Sequence, residues 1–414
     1  MTIIFKNKKP FIEGVCLNEI TSAIETPFYV YSQKSITNAY NKIKNSLNAE
    51  IFFSVKANSN LAILSIMKSL GAGAGVVSAG ELERAINAGI AHSKIIFEGV
   101  GKSINDVEYA INNNIRQINI ESIEELNMIE ELGKSLRQKV NIGIRLNPDI
   151  DGKTLDKIST GRKTDKFGIP FDTIPDVCSK IKKLEWVNLK GISSHIGSQI
   201  YDLNIFEKVF KKMKQATEII EANDLLIDYL DLGGGFGVIY NNEKEVDFKK
   251  LSSLIKKIFI NTKYNISVEP GRYLVANAGI LVTKILTSKT NGSINFLITD
   301  AGMQTLLRPA MYNAFHNIIP LKQSNNKKKY TIAGPICESS DVLVNNIDLP
   351  VQQTGNYLAV CDTGAYGFVM ASNYNTRSMP AEILIYNDQY AIIRNQEKIS
   401  TLIEKDIIPN WLLN

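Results

Sequence analysis

Short apolar runs and amphipathic stretches alternate along the chain from residue 51 to about residue 278. The run IFFSVKA precedes the helical pattern NLAILSIMKSLG, and GAGVVSA precedes GELERAINAG, whose last glycine is typical of a helix C-terminus. The pairing recurs eight times over about 220 residues, and repeated strand–helix pairs with right-handed crossovers close into a parallel barrel. The pattern therefore predicts a (β/α)8 barrel of the TIM type.

Past residue 280 the pattern changes to short strands separated by polar turns, as in SINFLITDAG, KKYTIAGPIC and EILIYNDQYAIIRNQE. Such spacing predicts a mostly antiparallel β domain. The leading segment contains FYVYS, a further strand pattern that we expect to pair into the same domain. We therefore expect a barrel over residues 30–278 and a β domain formed by residues 1–29 and 279–414.

The composition is that of a folded globular protein, with 414 residues, 44% hydrophobic and 21% charged. A chain of this length suits a large barrel plus a second domain. The 47 basic and 42 acidic residues give a net charge of +5, which is a mild field for this length and argues against a nucleic-acid partner.

Three features of the sequence bear on its compartment. The N-terminal segment MTIIFKNKKPFIEG has an apolar run too short for a signal peptide, and no apolar run approaches the roughly 18 residues of a membrane helix. The four cysteines lack C-x-x-C spacing, and there are only three histidines, so neither a disulfide framework nor a metal site is expected. A cytoplasmic protein without membrane association fits these features best.

Polar residues recur at the level where the predicted barrel strands end. They are Lys56, Ser78, His195, Ser198, Glu269 and Arg272. Any one of them alone would more often be a surface or packing residue. Because the strand ends at the C-terminal face of such a barrel form its active site, their shared level predicts a catalytic mouth.

Two motifs at that level predict a phosphate site. The segment DLGGGFG at 231–237 removes side chains from the loop after strand seven, so that backbone N–H groups can approach an anion closely. The segment EPGR at 269–272 adds the guanidinium of Arg272. The loops after strands seven and eight commonly bind phosphate in such barrels, so a phosphorylated ligand is predicted.

A phosphate site and a strand-end lysine at one mouth indicate pyridoxal 5'-phosphate, bound covalently as a Schiff base to Lys56. Glu269 is positioned to face the pyridine nitrogen, and His195 to stack on the ring. The sequence has neither a Walker A pattern nor a helix-opening G-x-G-x-x-G, which argues against nucleotide chemistry.

Seven motifs in order resemble the diaminopimelate decarboxylases, the last enzymes of bacterial lysine biosynthesis. They are SVKAN, SHIGSQ, DLGGGFG, EPGR, RPAMYNAFH, GPICESSD and DTGAYGFVMASNYN, and the resemblance runs from about residue 25 to the C-terminus. The resemblance implies an alanine-racemase-like barrel followed by a β domain, with pyridoxal phosphate as cofactor. It also implies a homodimer whose composite active sites lie at the subunit interface and act on meso-diaminopimelate.

By position in these motifs, the resemblance implies roles for individual residues. Lys56 would carry the cofactor, His195 would stack on its ring and Glu269 would partner its nitrogen. Further cofactor contacts are implied for Ser198, Gly235, Gly271, Arg272 and Tyr366. Substrate contacts are implied for Arg272, Arg308, Tyr312, Glu338 and Tyr366, and the division of Arg272 between phosphate and substrate stays open.

The resemblance also implies that Cys337 donates the proton that replaces CO2, beside Lys56 and His195 as catalytic residues. On its chemistry alone, Cys337 is equally consistent with a buried structural thiol. The chain departs from the family at Ser340, usually glycine, and at Gln304–Thr305, commonly Asn–Asp. Neither departure changes a residue with an implied chemical role.

The sequence motifs leave three other functions open. A related decarboxylase acting on lysine, ornithine, arginine or carboxynorspermidine would share Lys56, His195 and EPGR, although the intact RPAMY and CESSD disfavour it. An amino-acid racemase would have a tyrosine base where Cys337 stands. A non-catalytic pyridoxal phosphate carrier would be a single barrel without the β domain.

Overall fold

The computed structural model describes residues 1–158 and 160–413, which form two compact units. One unit is Thr37–Leu274, and the other combines Met1–Ile36 with Val275–Asn414. Among the helices of the described residues, none is long and apolar enough to cross a membrane.

The strands of the described residues follow one another along the whole chain. In chain order they are β1 (Ile4–Lys6), β2 (Lys9–Ile12), β3 (Val15–Cys16), β4 (Phe28–Ser32), β5 (Glu50–Ser54), β6 (Gly73–Val76), β7 (Ile95–Phe97), β8 (Gln117–Ile120), β9 (Val140–Asn147), β10 (Ile169–Pro170), β11 (Val187–Ser193), β12 (Tyr229–Asp231), β13 (Asn265–Val268), β14 (Gly279–Asn291), β15 (Ile294–Thr299), β16 (Ile318–Pro320), β17 (Lys327–Ala333), β18 (Val342–Pro350), β19 (Tyr357–Val360), β20 (Ala381–Tyr386) and β21 (Gln389–Arg394).

The α-helices fall mainly in the first of these units. They are α1 (Leu17–Ala23), α2 (Gln33–Ser46), α3 (Leu61–Ser69), α4 (Ala79–Asn87), α5 (Ile104–Asn112), α6 (Ile123–Leu136), α7 (Ile174–Ile181), α8 (Leu203–Ala222), α9 (Phe248–Ile258), α10 (Arg272–Val275), α11 (Arg308–Tyr312) and α12 (Ile399–Ile403).

The unit Thr37–Leu274 is a closed parallel barrel. Its eight strands run in the order β9, β11, β12, β13, β5, β6, β7, β8, and β8 pairs with β9 to close the ring. A helix follows each strand, and the strands are buried almost throughout, as parallel strands covered on both faces must be. The predicted (β/α)8 barrel is confirmed, and the C-terminal ends of its strands share one face.

The other unit is a mostly antiparallel sheet in the order β18, β17, β15, β14, β4, β20, β21, with β19 and β16 added at β14. β4 from the leading segment pairs with β14 and β20, as FYVYS predicts. One apolar core joins residues from the two ends of the chain, including Phe28, Val30, Ile280, Val282 and Ile383. Burial of that core explains why the chain's beginning is part of its last domain.

Candidate active site

Lys56 lies directly after the first barrel strand. β5 ends at Ser54, and a single 3-10 turn, Val55–Ala57, carries the lysine between two buried neighbours. The Ser54 hydroxyl donates to the backbone oxygen of Glu269 at 2.9 Å, which links this turn to the end of β13. Lys56 is therefore fixed by buried backbone while its own side chain is only half-buried.

The glycine loop after β12 is packed against its neighbours more tightly than any side chain would allow. A Cβ on Gly234 would lie 2.2 Å from the Glu269 backbone oxygen, and one on Gly235, where φ is +83°, would lie 2.3 Å from the Gly197 oxygen. Asp231 holds the start of the loop, because its carboxylate accepts the Gly233 N–H at 2.7 Å and the Ser267 hydroxyl at 2.8 Å.

Arg272 lies at the same level and is held by two hydroxyl groups. Its Nε donates to Ser198 Oγ at 3.0 Å and its Nη1 donates to the Tyr240 hydroxyl at 3.1 Å, and only 8% of the residue is exposed. The adjacent Gly271 lets the turn approach β5, since a Cβ there would lie 3.0 Å from that of Ser54. A nearly buried guanidinium with a serine hydroxyl and a bare glycine loop is suited to a phosphate group.

Glu269 provides the clearest test of whether a pyridoxal ring fits this mouth. Its Oε1 is buried and has no hydrogen-bond partner among the described residues. Burial, and then the negative charges of Asp231 and Glu98, raise the pKa of this carboxyl well above its usual value, against the influence of Lys56 and Arg145. A buried carboxylate without a partner is costly, and a protonated pyridine nitrogen would satisfy it, so the residues present fit the group.

His195 is neutral at this mouth. Burial, followed by the charges of Lys56 and Arg145, lowers its pKa well below the ordinary value. Its Nδ1 accepts the Gly234 N–H at 3.4 Å, which assigns the proton to Nε2. The Thr160 hydroxyl donates to the His195 backbone oxygen at 2.8 Å and so fixes its loop.

Beneath these groups the barrel interior has a polar layer that sequence reasoning missed. The Asn119 amide donates to Glu98 and to Ser193 Oγ, the latter at 3.1 Å. Arg145 pairs with Glu121 at 2.7 Å, both nearly buried. The signals were present, because Arg145 interrupts an apolar strand and Glu98 follows one. Ser78, by contrast, caps α4 through the Glu81 N–H.

The remaining candidate residues lie in the other unit. Arg308 and Tyr312 begin and end the short helix α11, with Arg308 buried and Tyr312 half-buried. Tyr366 is half-buried and has a positive φ of 55°. The segment Cys337–Ser340 is exposed throughout.

The alternative that Cys337 is a buried structural thiol is wrong, because its side chain is exposed. Burial raises the pKa of the buried Cys178 to about 11 and that of the partly buried Cys361 to about 12. Glu338, next to Cys337, accepts hydrogen bonds from the Tyr374 hydroxyl at 3.0 Å and the Ser340 hydroxyl at 3.3 Å.

Asp341 anchors the loop that carries Cys337. Its buried carboxylate accepts the Ile336 N–H at 2.7 Å and the Met303 N–H at 2.6 Å. A Cβ on Gly334 would lie 2.4 Å from this carboxylate, so the glycine is required for the close approach. The exposed segment is thus tethered at its base.

Comparisons with known proteins agree on one family. The family described as "Pyridoxal-dependent decarboxylase, pyridoxal binding domain" matches residues 33–276. The diaminopimelate decarboxylase of Aquifex aeolicus is 39% identical over 406 residues, covering 97% of each chain.

Solved structures give the same result at the level of the fold. Diaminopimelate decarboxylase from M. jannaschii, in complex with L-lysine, is 36% identical, covers 99% of each chain and superposes with a TM-score of 0.94. Lysine decarboxylase from Selenomonas ruminantium is less similar, at 26% identity and a TM-score of 0.81, covering 90% of this chain and 96% of that one.

Proposed function

The chain belongs to the diaminopimelate decarboxylases within the pyridoxal-dependent decarboxylase family, and on that premise we propose that it converts meso-2,6-diaminopimelate to L-lysine and CO2. It is a pyridoxal phosphate-dependent carboxy-lyase. The observation that carries the proposal is the buried Oε1 of Glu269, which has no hydrogen-bond partner among the described residues and lies at the barrel face that also presents Lys56 and Arg272.

The barrel residues, together with Tyr366 of the other unit, would hold the cofactor. We assign its covalent attachment to Lys56, its ring nitrogen to Glu269 and its ring face to His195. Its phosphate and remaining edge are assigned to Ser198, Gly235, Gly271, Arg272 and Tyr366. When bound, pyridoxal phosphate supplies an acceptor for the electron pair left at Cα when the carboxylate departs.

The chain's own groups have distinct tasks. Glu269 would hold a proton on the ring nitrogen, and neutral His195 would add no charge beside the ring. Lys56 would attach the cofactor through its side-chain amine. Cys337 delivers a proton to Cα of the product, and its exposure supports that role because a thiol must reach its acceptor.

Substrate selection is assigned to charged side chains of the unit that combines Met1–Ile36 with Val275–Asn414, the β unit. Meso-diaminopimelate carries a carboxylate and an ammonium at the end that does not react, so a selective site needs one charge of each sign. Arg308 and Glu338 supply them, with Tyr312, Tyr366 and Arg272 as further contacts. Removing either side-chain charge leaves the opposite charge at that end of the substrate unpaired, which is expensive when desolvated.

We further propose a homodimer with composite active sites, working in the cytoplasm. Exposure of the segment Cys337–Ser340 supports the first part, because catalytic chemistry on an exposed loop needs another surface to exclude water. Four free cysteines support a reducing compartment.

The test of function is CO2 release from five amino acids by the purified, cofactor-loaded protein. We expect turnover of meso-diaminopimelate, with lysine, ornithine, arginine and carboxynorspermidine as poor substrates. Preference for any of those four would contradict the substrate assignment. Loss of optical activity from L-lysine, L-ornithine or L-arginine without CO2 release would instead indicate an amino-acid racemase.

A further inference from the structure

Two residues of the β unit make a buried contact that the proposed function has not used. The ring of His316 is 1% exposed, and its Nε2 lies 2.9 Å from Nη1 of Arg308. Its other nitrogen, Nδ1, lies 2.8 Å from the backbone oxygen of Cys361. Each ring nitrogen therefore contacts a group that can only donate or only accept a hydrogen bond.

Those two partners determine the protonation state of the ring. A guanidinium can only donate, so Nε2 must accept and carries no proton. A carbonyl oxygen can only accept, so Nδ1 must donate. His316 is thus the neutral tautomer protonated on Nδ1, and a second proton would set two N–H groups against each other 2.9 Å apart.

The backbone explains why the ring is so well placed. His316 lies just before β16 and Cys361 just after β19, and these strands pair with Ile318 opposite Val360. The Cys361 N–H donates in turn to the Asn317 oxygen at 2.8 Å, next to the ring. The strand pair therefore fixes His316, and His316 fixes one side of the Arg308 guanidinium.

Helix α11 alone could not orient Arg308. The helix is only five residues long, Arg308 is its first residue, and no side-chain cap bonds its N-terminus. A long side chain starting from so short an element has many rotamers, and their loss on substrate binding would weaken affinity. A buried acceptor at its tip removes that freedom beforehand.

We infer that His316 is a positioning residue for substrate selection, acting through Arg308 and touching no substrate itself. This inference rests on the proposed role of Arg308 in binding the distal carboxylate of diaminopimelate. It predicts that loss of the ring acceptor raises KM for diaminopimelate while leaving kcat nearly unchanged, because the reacting groups are elsewhere.

The first experiment compares His316→Phe, which keeps ring volume without an acceptor, with His316→Gln, whose amide oxygen can accept. We expect His316→Phe to raise KM for diaminopimelate about 10-fold, the size expected for one hydrogen bond to a charged group. His316→Gln should recover most of the loss. His92→Phe is the matched control, because His92 is exposed and its Nδ1 also contacts a backbone oxygen, that of Asn113.

Adding Arg308→Met separates failure of this inference from failure of the proposed function. If Arg308→Met lowers kcat/KM and His316→Phe leaves KM at the wild-type value, the positioning role is wrong and the substrate role stands. If Arg308→Met has no effect, the substrate role itself fails. In the Arg308→Met background, His316→Phe should add nothing further, and an additive loss would contradict action through Arg308.

The tautomer can also be measured directly in the wild-type protein, independently of the kinetics. The chain has three histidines, and the nitrogen-15 signals that are missing from His92→Phe and from His316→Gln identify the His92 and His316 rings in the spectrum of the loaded enzyme. We expect one ring with a proton on Nδ1 and a bare Nε2. A proton on Nε2 of His316 would overturn the inference, because that nitrogen could not then accept from Arg308.

Discussion

The barrel mouth and the Cys337–Ser340 segment differ in how completely each is formed within its own unit. At the mouth, Arg272 is nearly buried and hydrogen-bonded to Ser198 and Tyr240. The glycine loop lies so close to its neighbours that there is no room for a Cβ atom. The Cys337–Ser340 segment is tethered at Asp341, yet all four of its residues are exposed.

The barrel mouth is preorganised, whereas the Cys337–Ser340 segment is not. A site that must bind an anion and a charged ring benefits from buried, fixed dipoles, and the barrel supplies them. Cys337 and Glu338 lie where water reaches them, so their roles depend on what covers the segment.

The largest effect is expected from Lys56→Ala, which removes the proposed attachment point in the barrel. Activity should fall at least about 1000-fold, since the covalent attachment of the cofactor is lost. Borohydride reduction of the wild-type enzyme followed by peptide mapping should find the pyridoxyl group on Lys56. A pyridoxyl group on a different lysine would contradict the assignment of the cofactor to Lys56, and with it the preorganisation of the barrel mouth.

The next effect is expected from Arg308→Met and Glu338→Gln, which remove opposite charges from the β unit. Each should lower kcat/KM for diaminopimelate at least about 100-fold, or roughly 2.7 kcal/mol, while the absorbance of the bound cofactor stays unchanged. If both side chains only brace the dimer, sedimentation should show dissociation. A stable, loaded dimer with wild-type turnover would end the specificity role.

A smaller effect should come from mixing Lys56→Ala with Cys337→Ala, each nearly inactive alone. If the exposed segment completes the partner's barrel site, random exchange gives half heterodimers, each with one intact site. About a quarter of wild-type activity should then return. Exchange demonstrated by mass-tagged subunits without any return of activity would mean that each site is formed within one chain.

The smallest effect concerns the pH dependence of the apoprotein. Burial raises the pKa of Glu269 in the folded chain, so the folded state binds this proton more tightly than the unfolded state. The stability that this bound proton contributes to the folded protein is therefore fully present below pH 4.5, the ordinary pKa of a glutamate. It is lost as the pH rises above that value.

Glu269→Gln removes that ionisation, so the variant apoprotein should melt roughly 2–4 °C higher than wild type at pH 8, with the gap closing towards pH 4.5. Calorimetry of the cofactor-free proteins measures this. Glu131→Gln, at an exposed position of α6, should show no gap. An unchanged melting temperature for Glu269→Gln would mean that ionisation of Glu269 does not destabilise the cofactor-free protein.

Much of this molecule was determined by sequence pattern. The alternation of apolar runs with helical patterns predicted the barrel. Parallel strands are buried on both faces, so each is a continuous apolar run, and each is followed by a helix that covers it. The strand-end level of Lys56, His195, Glu269 and Arg272 followed from the same topology, since all strands of a barrel end at one face. The pairing of FYVYS with the last domain was also predicted, and β4 confirms it.

Only the tertiary structure decided which polar groups have partners. Sequence could not show that Glu269 Oε1 has no partner within the part of the chain that the structure describes, or that Cys337 is exposed. Nor could it show that His316 accepts from Arg308 and donates to Cys361. Those facts depend on differences of a few tenths of an ångström in the distances between atoms whose residues are far apart in the chain. Periodicity fixes which face a residue lies on, whereas protonation and hydrogen bonding depend on which atoms meet there after packing.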